Sequence, residues 1–253
     1  MGRFSILFVR SALAAAVLCS VPSAVAAQTA PDKKKPKLDQ SDEQEAQTGT
    51  RIPAKTEAML AAEAAVVGKR MAGCVYRSSR RNVLKFMNHV DLGGSTNFNK
   101  EFVEFAESTD FSTCLGVQVL PFGFGSITFS LPVMRDVLAE EIYLSSHSSP
   151  PAPPPAGLVL QPRYVSEGAN LERAKLLHSF ADCAILQNLN GADAVLRTKP
   201  ASSEERLAAR ALAPALSACL TEGQQIKLNT RSIRSLVAYA MWFRFARVET
   251  QAK

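Results

Sequence analysis

The chain reads as a mainly α-helical protein: two related helical repeats, each with a short extended segment before its last helix. Three observations lead there. Apolar residues recur at helical spacing over several windows, and a cluster of prolines divides the chain into comparable parts. One pattern of cysteine, arginine and apolar positions also occurs on both sides of that cluster. The 253 residues suffice for one domain or two small ones, and a charged share of 21% excludes wholesale disorder.

Residues 1–26 read as a signal peptide. Arg3 and Arg10 supply positive charge, an apolar stretch runs from Ser11 to Val21, and Pro22 breaks it. Ala24 and Ala26 then offer the small side chains that signal peptidase accepts. The apolar run is shorter than the roughly 20 residues that span a bilayer, so no transmembrane segment is expected in the mature chain. Cys19 does not read as a lipid attachment site, because Leu18 stands where a small residue is needed. The predicted location is therefore periplasmic or secreted. Loss of Arg3 and Arg10 leaves 27 of the 29 basic side chains against 23 acidic ones, lowering the formal net charge from +6 to +4.

Residues 27–54 carry Lys33, Lys34 and Lys35, then Asp39, Asp42, Glu43 and Glu45, with few large apolar side chains. Such a segment cannot bury enough surface to offset its ordering entropy and is predicted to be a disordered spacer. Repeat 1 spans 55–147 and repeat 2 spans 164–253. Between them, residues 148–163 contain Pro150, Pro151, Pro153, Pro154, Pro155 and Pro162, the composition of a semi-rigid linker.

The two repeats align through three anchors. Cys74 answers Cys183 at an offset of 109, Cys114-Leu115 answers Cys219-Leu220 at 105, and Met134-Arg135 answers Ile233-Arg234 at 99. The implied insertions fall near Gly93-Gly94 and near Gly116, Gly123 and Gly125, where loops are expected. Each repeat reads as three helices, a short extended piece and a closing helix. In repeat 2, Leu171–Leu186 is helical by its apolar spacing. Ser202 with Glu205 forms a capping box for the next helix, and Pro214 should kink or restart that helix. The closing helix buries Ile233, Leu236, Val237, Ala240 and Met241, while Pro132 fits the opening turn of its counterpart.

Four cysteines in an exported chain imply two disulfides. Of three possible pairings, Cys74–Cys114 with Cys183–Cys219 is favoured, because duplication of a unit carrying its own bridge produces it. Each would close a loop of about 40 residues and contribute roughly 4 kcal/mol in the chain-entropy picture. Thiol redox chemistry is disfavoured, since no two cysteines stand close together as in C-x-x-C.

Motifs for other chemistry are sparse. Three histidines leave little material for metal or acid–base clusters, and neither a metal nor another cofactor is expected. His178 and Asp182 share a helix face, but no second ligand pair follows, and Gly73 occupies the matching place in repeat 1. His89 and His147 lie in loop-like context. No nucleophile elbow, phosphate loop, dinucleotide fingerprint or H-E-x-x-H pattern occurs. Arg77, Arg80, Arg81 and Lys85 read as a solvated helix face, and the absence of interleaved aromatics argues against nucleic acid. Phe122 and Phe124 would tuck beneath their Gly-rich loop or stand exposed. Arg231, Arg234, Arg244, Arg247 and Lys253 concentrate positive charge near the C-terminus. Arg244 and Arg247 suit the end of a helix electrostatically; the sharper alternative is docking to an anionic partner. Arg135 and Arg234 are the candidate binding residues, because the alignment places the same residue twice at the start of a closing helix. Either each fixes its helix by hydrogen bonding carbonyls or a carboxylate, or the two flank a common cleft.

The sequence of a cysteine helix, a capped helix ending in Cys219-Leu220, an apolar piece and an Arg234-x-x-x-Ala238-x-x-x-Trp242 helix is clearest over Ser202–Trp242. In this it resembles uncharacterised exported (periplasmic) proteins of alphaproteobacteria, a resemblance covering most of residues 65–247. Repeat 1 departs from it through its inserted Gly/Phe loop and lack of a capping box. The resemblance implies no activity and no catalytic residue.

The expected function is that of a non-catalytic binding or structural protein of the cell envelope. Its partner would be an envelope protein or an anionic envelope component. The competing expectation is a periplasmic enzyme, such as a hydrolase, with a site in the groove between the repeats. Convergent polar side chains with perturbed ionisation in that groove would favour the enzyme, and a large apolar patch would favour binding.

Overall fold

The computed structural model describes residues 57–94, 98–119, 129–155, 162, 164–221, 223 and 226–247. The expected leader and spacer, Phe122, Phe124, Lys253 and most of the later part of the Pro-rich stretch lie outside the described residues. The described chain is mainly helical, with α1 (Glu57–Met87), α2 (Phe98–Glu107), α3 (Phe111–Val119) and α4 (Leu131–Ser146) before the prolines. After them come α5 (Gly168–Gln187), α6 (Leu189–Arg197), α7 (Ser203–Ala218) and α8 (Thr230–Met241), which continues into one π-helical turn, Trp242–Ala246. Among the described residues, no helix is long and apolar enough to cross a membrane.

No strand forms among the described residues; the segment expected before α8 is non-helical over 226–229, and the one before α4 is described only at Phe129 and Ser130. Ser130 and Asn229, the residues before α4 and α8, adopt extended dihedrals as N-caps, and no neighbouring backbone offers a ladder. The Ser130 carbonyl accepts from the Met134 amide at 3.0 Å with no side-chain cap, whereas Asn229 caps α8 with its side chain. Asn229 accepts from the Ser232 amide while the Ser232 hydroxyl accepts from the Asn229 amide, a capping box that lay unread in the sequence. The box expected at α7 differs in one limb. Ser202 accepts from the Glu205 amide at 3.1 Å, but Glu205 reaches past the cap to the Ala201 amide at 2.6 Å. Its other oxygen is drawn away by Arg234. Pro214 neither restarts nor interrupts the assigned helix, because α7 runs through it with Pro214 on the exposed side.

Two bridges fasten the first helix to the third in each part: Cys74 of α1 to Cys114 of α3, and Cys183 of α5 to Cys219 just after α7. The parts do not stand apart across the prolines. Helix α4 packs against α1 on one side and α8 on the other, and α8 is also covered by α5, α6 and α7. One continuous core results, through Met71, Val75, Met134, Leu138, Ile142, Leu196, Leu212 and Met241. Beside it, Phe86, Phe102, Phe105, Phe111 and Phe129 stack mostly edge to face under α2 and α3.

A buried carboxylate anchors the far end of the Pro-rich stretch. Asp91, 1% exposed, accepts from the amides of Gly93, Gly94, Val165 and Ser166 and from the Ser166 hydroxyl. Gly93 is required for this approach, since a Cβ there would lie 2.3 Å from the Asn170 carbonyl oxygen.

Candidate functional site

The two candidate arginines both lie in the α4–α8 interface, and both face inward. Arg234, in the first turns of α8, is buried and grips Glu140 of α4 with two parallel bonds, Nε to Oε2 and Nη2 to Oε1, each 2.7 Å. Its Nη1 donates to Glu205 Oε1 at 3.0 Å and to the Val195 carbonyl at 3.0 Å. Nη2 also reaches the carbonyls of Leu196 and Thr198, at the frayed end of α6 where helix carbonyls lack partners. Lys69 of α1 completes the group, 2.7 Å from Glu140 Oε1 and 3.0 Å from the Leu196 carbonyl. Burial opposes the Arg234 charge, yet the bonds to Glu140 and the charge of Glu205 hold its pKa above the ordinary value.

Arg135 makes a smaller version of the same contact. Its Nε and Nη2 both meet Asp136 Oδ1, at 2.8 and 2.6 Å, and Nη1 donates to the Asp91 carbonyl at 2.7 Å. Its guanidinium lies 5.5 Å from the centre of the Tyr239 ring on α8. Burial raises the Asp136 carboxyl above the usual carboxylate range against the pull of Arg135, Ser235 and Arg231. Asp136 therefore stands as the perturbed acid of this interface.

Where α1, α4 and α8 meet, a crevice of about 60 Å³ opens between Gly68, Val133 and Ala238, with Asp136, Arg231 and Arg234 on its walls. That space is enough for a water or two and far below the several hundred Å³ of a ligand pocket. A wider, open cleft of about 500 Å³ lies between the end of α1 and α2. Lys85 and His89 form one wall, Glu104 and Glu107 the other, over Phe86 and Phe105. His89 Nδ1 is engaged by the Lys85 carbonyl at 2.8 Å, and Lys100 stands 3.9 Å from Glu104.

The remaining candidates separate. His178 and Asp182 share α5, but Asp182 is taken by a two-pronged ion pair with Arg244, and no group of three metal-ligating side chains occurs among the described residues. Arg244 and Arg247 follow the π-turn inward: Arg244 to Asp182, and Arg247 over the Phe243 ring at 4.7 Å. Arg77, Arg80, Arg81 and Lys85 are exposed on α1. Glu140, Lys69 and Asp136 were not singled out from the sequence, and Asp91 stood out only as a neighbour of His89. Glu140 lies 94 residues from Arg234, and no local spacing reports such a pair. The repeat alignment held the one available signal, since it pairs Glu140 with Tyr239, each five residues after its arginine. No family model, no curated protein and no solved structure matches the chain.

Proposed function

We propose that this chain is an exported, non-catalytic binding or structural protein of the cell envelope, made of two related helical units. One observation carries the reading: the charged groups converging between α4 and α8 are committed to one another. Arg234 donates from all three nitrogens within the chain, Glu140 is held by Arg234 and Lys69, and the crevice beside them is too small for a substrate. A substrate would have to displace these bonds at a cost of several kcal/mol. Export is supported by the leader-like residues 1–26 and by two disulfides, which persist in oxidising compartments.

The relation of the units is supported by register. At an offset of 109 the break in α1 at Ser79 falls on Asn188, the junction of α5 and α6. At 105 the gap between α2 and α3, at Thr109, falls on Pro214 inside α7. At 99 the contacts are exchanged: Arg135 of the first unit meets Tyr239 of the second, and Arg234 meets Glu140. Reciprocal contacts of this kind are what a two-fold relation produces.

Asp136 supports the competing enzyme reading, with its raised carboxyl in the groove between the units. Its ion pair with Arg135 and the small crevice count against that reading. The exposed basic face of α1 and the exposed Arg231 suit an anionic envelope component or an acidic face of an envelope protein.

The deciding experiment is osmotic-shock fractionation of cells making the tagged full-length chain, followed by in-cell crosslinking. We expect the protein in the shocked fraction, with a mass matching residues 27–253, no free thiol, and a discrete crosslinked partner. Retention of residues 1–26 in the cytoplasm with five reactive thiols, Cys19 included, would overturn export. Turnover of a hydrolase substrate panel that disappears in Asp136→Asn would establish the enzyme instead.

A further inference from the structure

Away from the arginine network, a buried imidazole stands in an aromatic cage. His178 of α5 is 6% exposed. Three rings meet it edge to face: Phe243 at 4.5 Å, Tyr164 at 6.1 Å and Tyr239 at 6.3 Å between centroids. Its Nε2 is buried without a hydrogen-bond partner. These neighbours come from three places: the segment before α5, helix α8 and the π-turn.

The charges facing this cage can be named element by element. On α5 itself, Asp182 follows one turn later and is held by Arg244 of the π-turn. Arg247 follows that turn and covers Phe243. Tyr164 and Tyr239 are both raised by burial and are neutral near pH 7, and Asp91 acts on both from further off. Asp182, already carrying two bonds from Arg244, is poorly placed to take a third from a charged imidazole.

We propose that His178 is an acid-sensitive latch: protonation of its buried imidazole releases the π-turn Trp242–Ala246 from α5 and bares an aromatic surface. The proton adds a charge beside an Nε2 that has no hydrogen-bond partner, which a buried site does not tolerate. The added charge can be hydrated by parting α5 from the π-turn alone. Side-chain contacts join that turn to α5, Phe243 on His178 and Arg244 on Asp182, while the turn itself rests on α4 and α8. Burial and the charges of Arg244 and Arg247 lower the imidazole pKa, while Asp182 acts in the opposite sense. The closed state therefore binds the proton more weakly than the open one. Its advantage is complete above the ordinary histidine value of about 6.5 and falls as pH drops through the window below it.

Trp242 is the sole tryptophan of the chain and lies within the π-turn, 2% exposed, so its emission reports the latch directly. The test follows Trp242 emission and the His178 imidazole resonances in the mature, disulfide-bonded protein from about pH 7.5 to about pH 4.5. We expect a reversible red shift with retained helical circular dichroism and a midpoint below about 6.5. The opening constant should grow by at most about tenfold per pH unit, the limit for one proton. His178→Phe should abolish the shift, whereas His89→Gln and His147→Gln should keep it. Unchanged emission across the range overturns the latch, as does a shift that survives in His178→Phe. Should that variant not fold, the wild-type resonances decide: a common midpoint for imidazole and indole supports the latch, and separate midpoints refute it.

Discussion

Arg234 joins α8 to two carboxylates and three carbonyls, so its removal strands buried charge as well as losing bonds. Arg234→Ala should cost about 3–5 kcal/mol, as breaking a buried pair does. Arg234→Lys should recover only part of this, because an ammonium cannot reproduce the two-pronged grip on Glu140. Urea unfolding near neutral pH checks both, and a loss below 1 kcal/mol for the alanine variant would contradict the hub. A second residue stores strain beside it. Ala201 adopts φ 62°, a left-handed conformation that disfavours a Cβ, where its amide meets Glu205. Ala201→Gly should therefore raise stability by about 1 kcal/mol, and lowered stability would show that no strain is held there. Neither feature was legible in the sequence as such. Arg234 was visible as a repeated residue, but its partners come from distant parts of the chain. The φ of Ala201 is imposed by a carboxylate that is itself positioned by Arg234.

Helices were the legible level. Apolar spacing marks α5 and α8, proline marks the opening of α4, and Ser202 marks the start of α7, because each depends on residues within one or two turns. At Pro214 the helix continues, with the proline on its exposed side. Before α8 the chain is non-helical over 226–229 and Asn229 is extended, as the apolar spacing there suggests, although no strand forms among the described residues. Between helices the disulfides matter most. Cys183→Ala with Cys219→Ala frees a loop of 36 residues and should lower stability by about 3–4 kcal/mol. Thermal unfolding of the double variant against the oxidised wild type measures it, and an unchanged midpoint would show the bridge idle. Cys183–Cys219 ties α5 to α7, and both cover α8.

At the scale of the whole molecule, the prolines divide the sequence but not the core. Leu138, Ile142 and Tyr143 of α4 and Val237, Ala240 and Met241 of α8 are all fully or nearly fully buried, in a core that includes both helices. A fragment ending at 147 leaves α4 with one face bare, and a fragment beginning at 164 does the same to α8. Neither fragment alone should give a cooperative thermal transition, whereas mixing the oxidised pair should restore one. Cooperative unfolding of either fragment at the full-chain midpoint would show two independent domains.

The π-turn has a consequence for how length is tolerated. A π-turn places one residue more on the same rise than an α-turn, as the bond from the Arg247 amide to the Trp242 carbonyl records. Every side chain beyond it is thus set about 100° out of phase with an uninterrupted helix. Shortening this stretch by a single residue would leave the helix itself intact while rotating Arg247 off the Phe243 face. A lineage that lost one residue here would keep an unbroken helix but would have to repack Ala246 and seat Arg247 on a different neighbour.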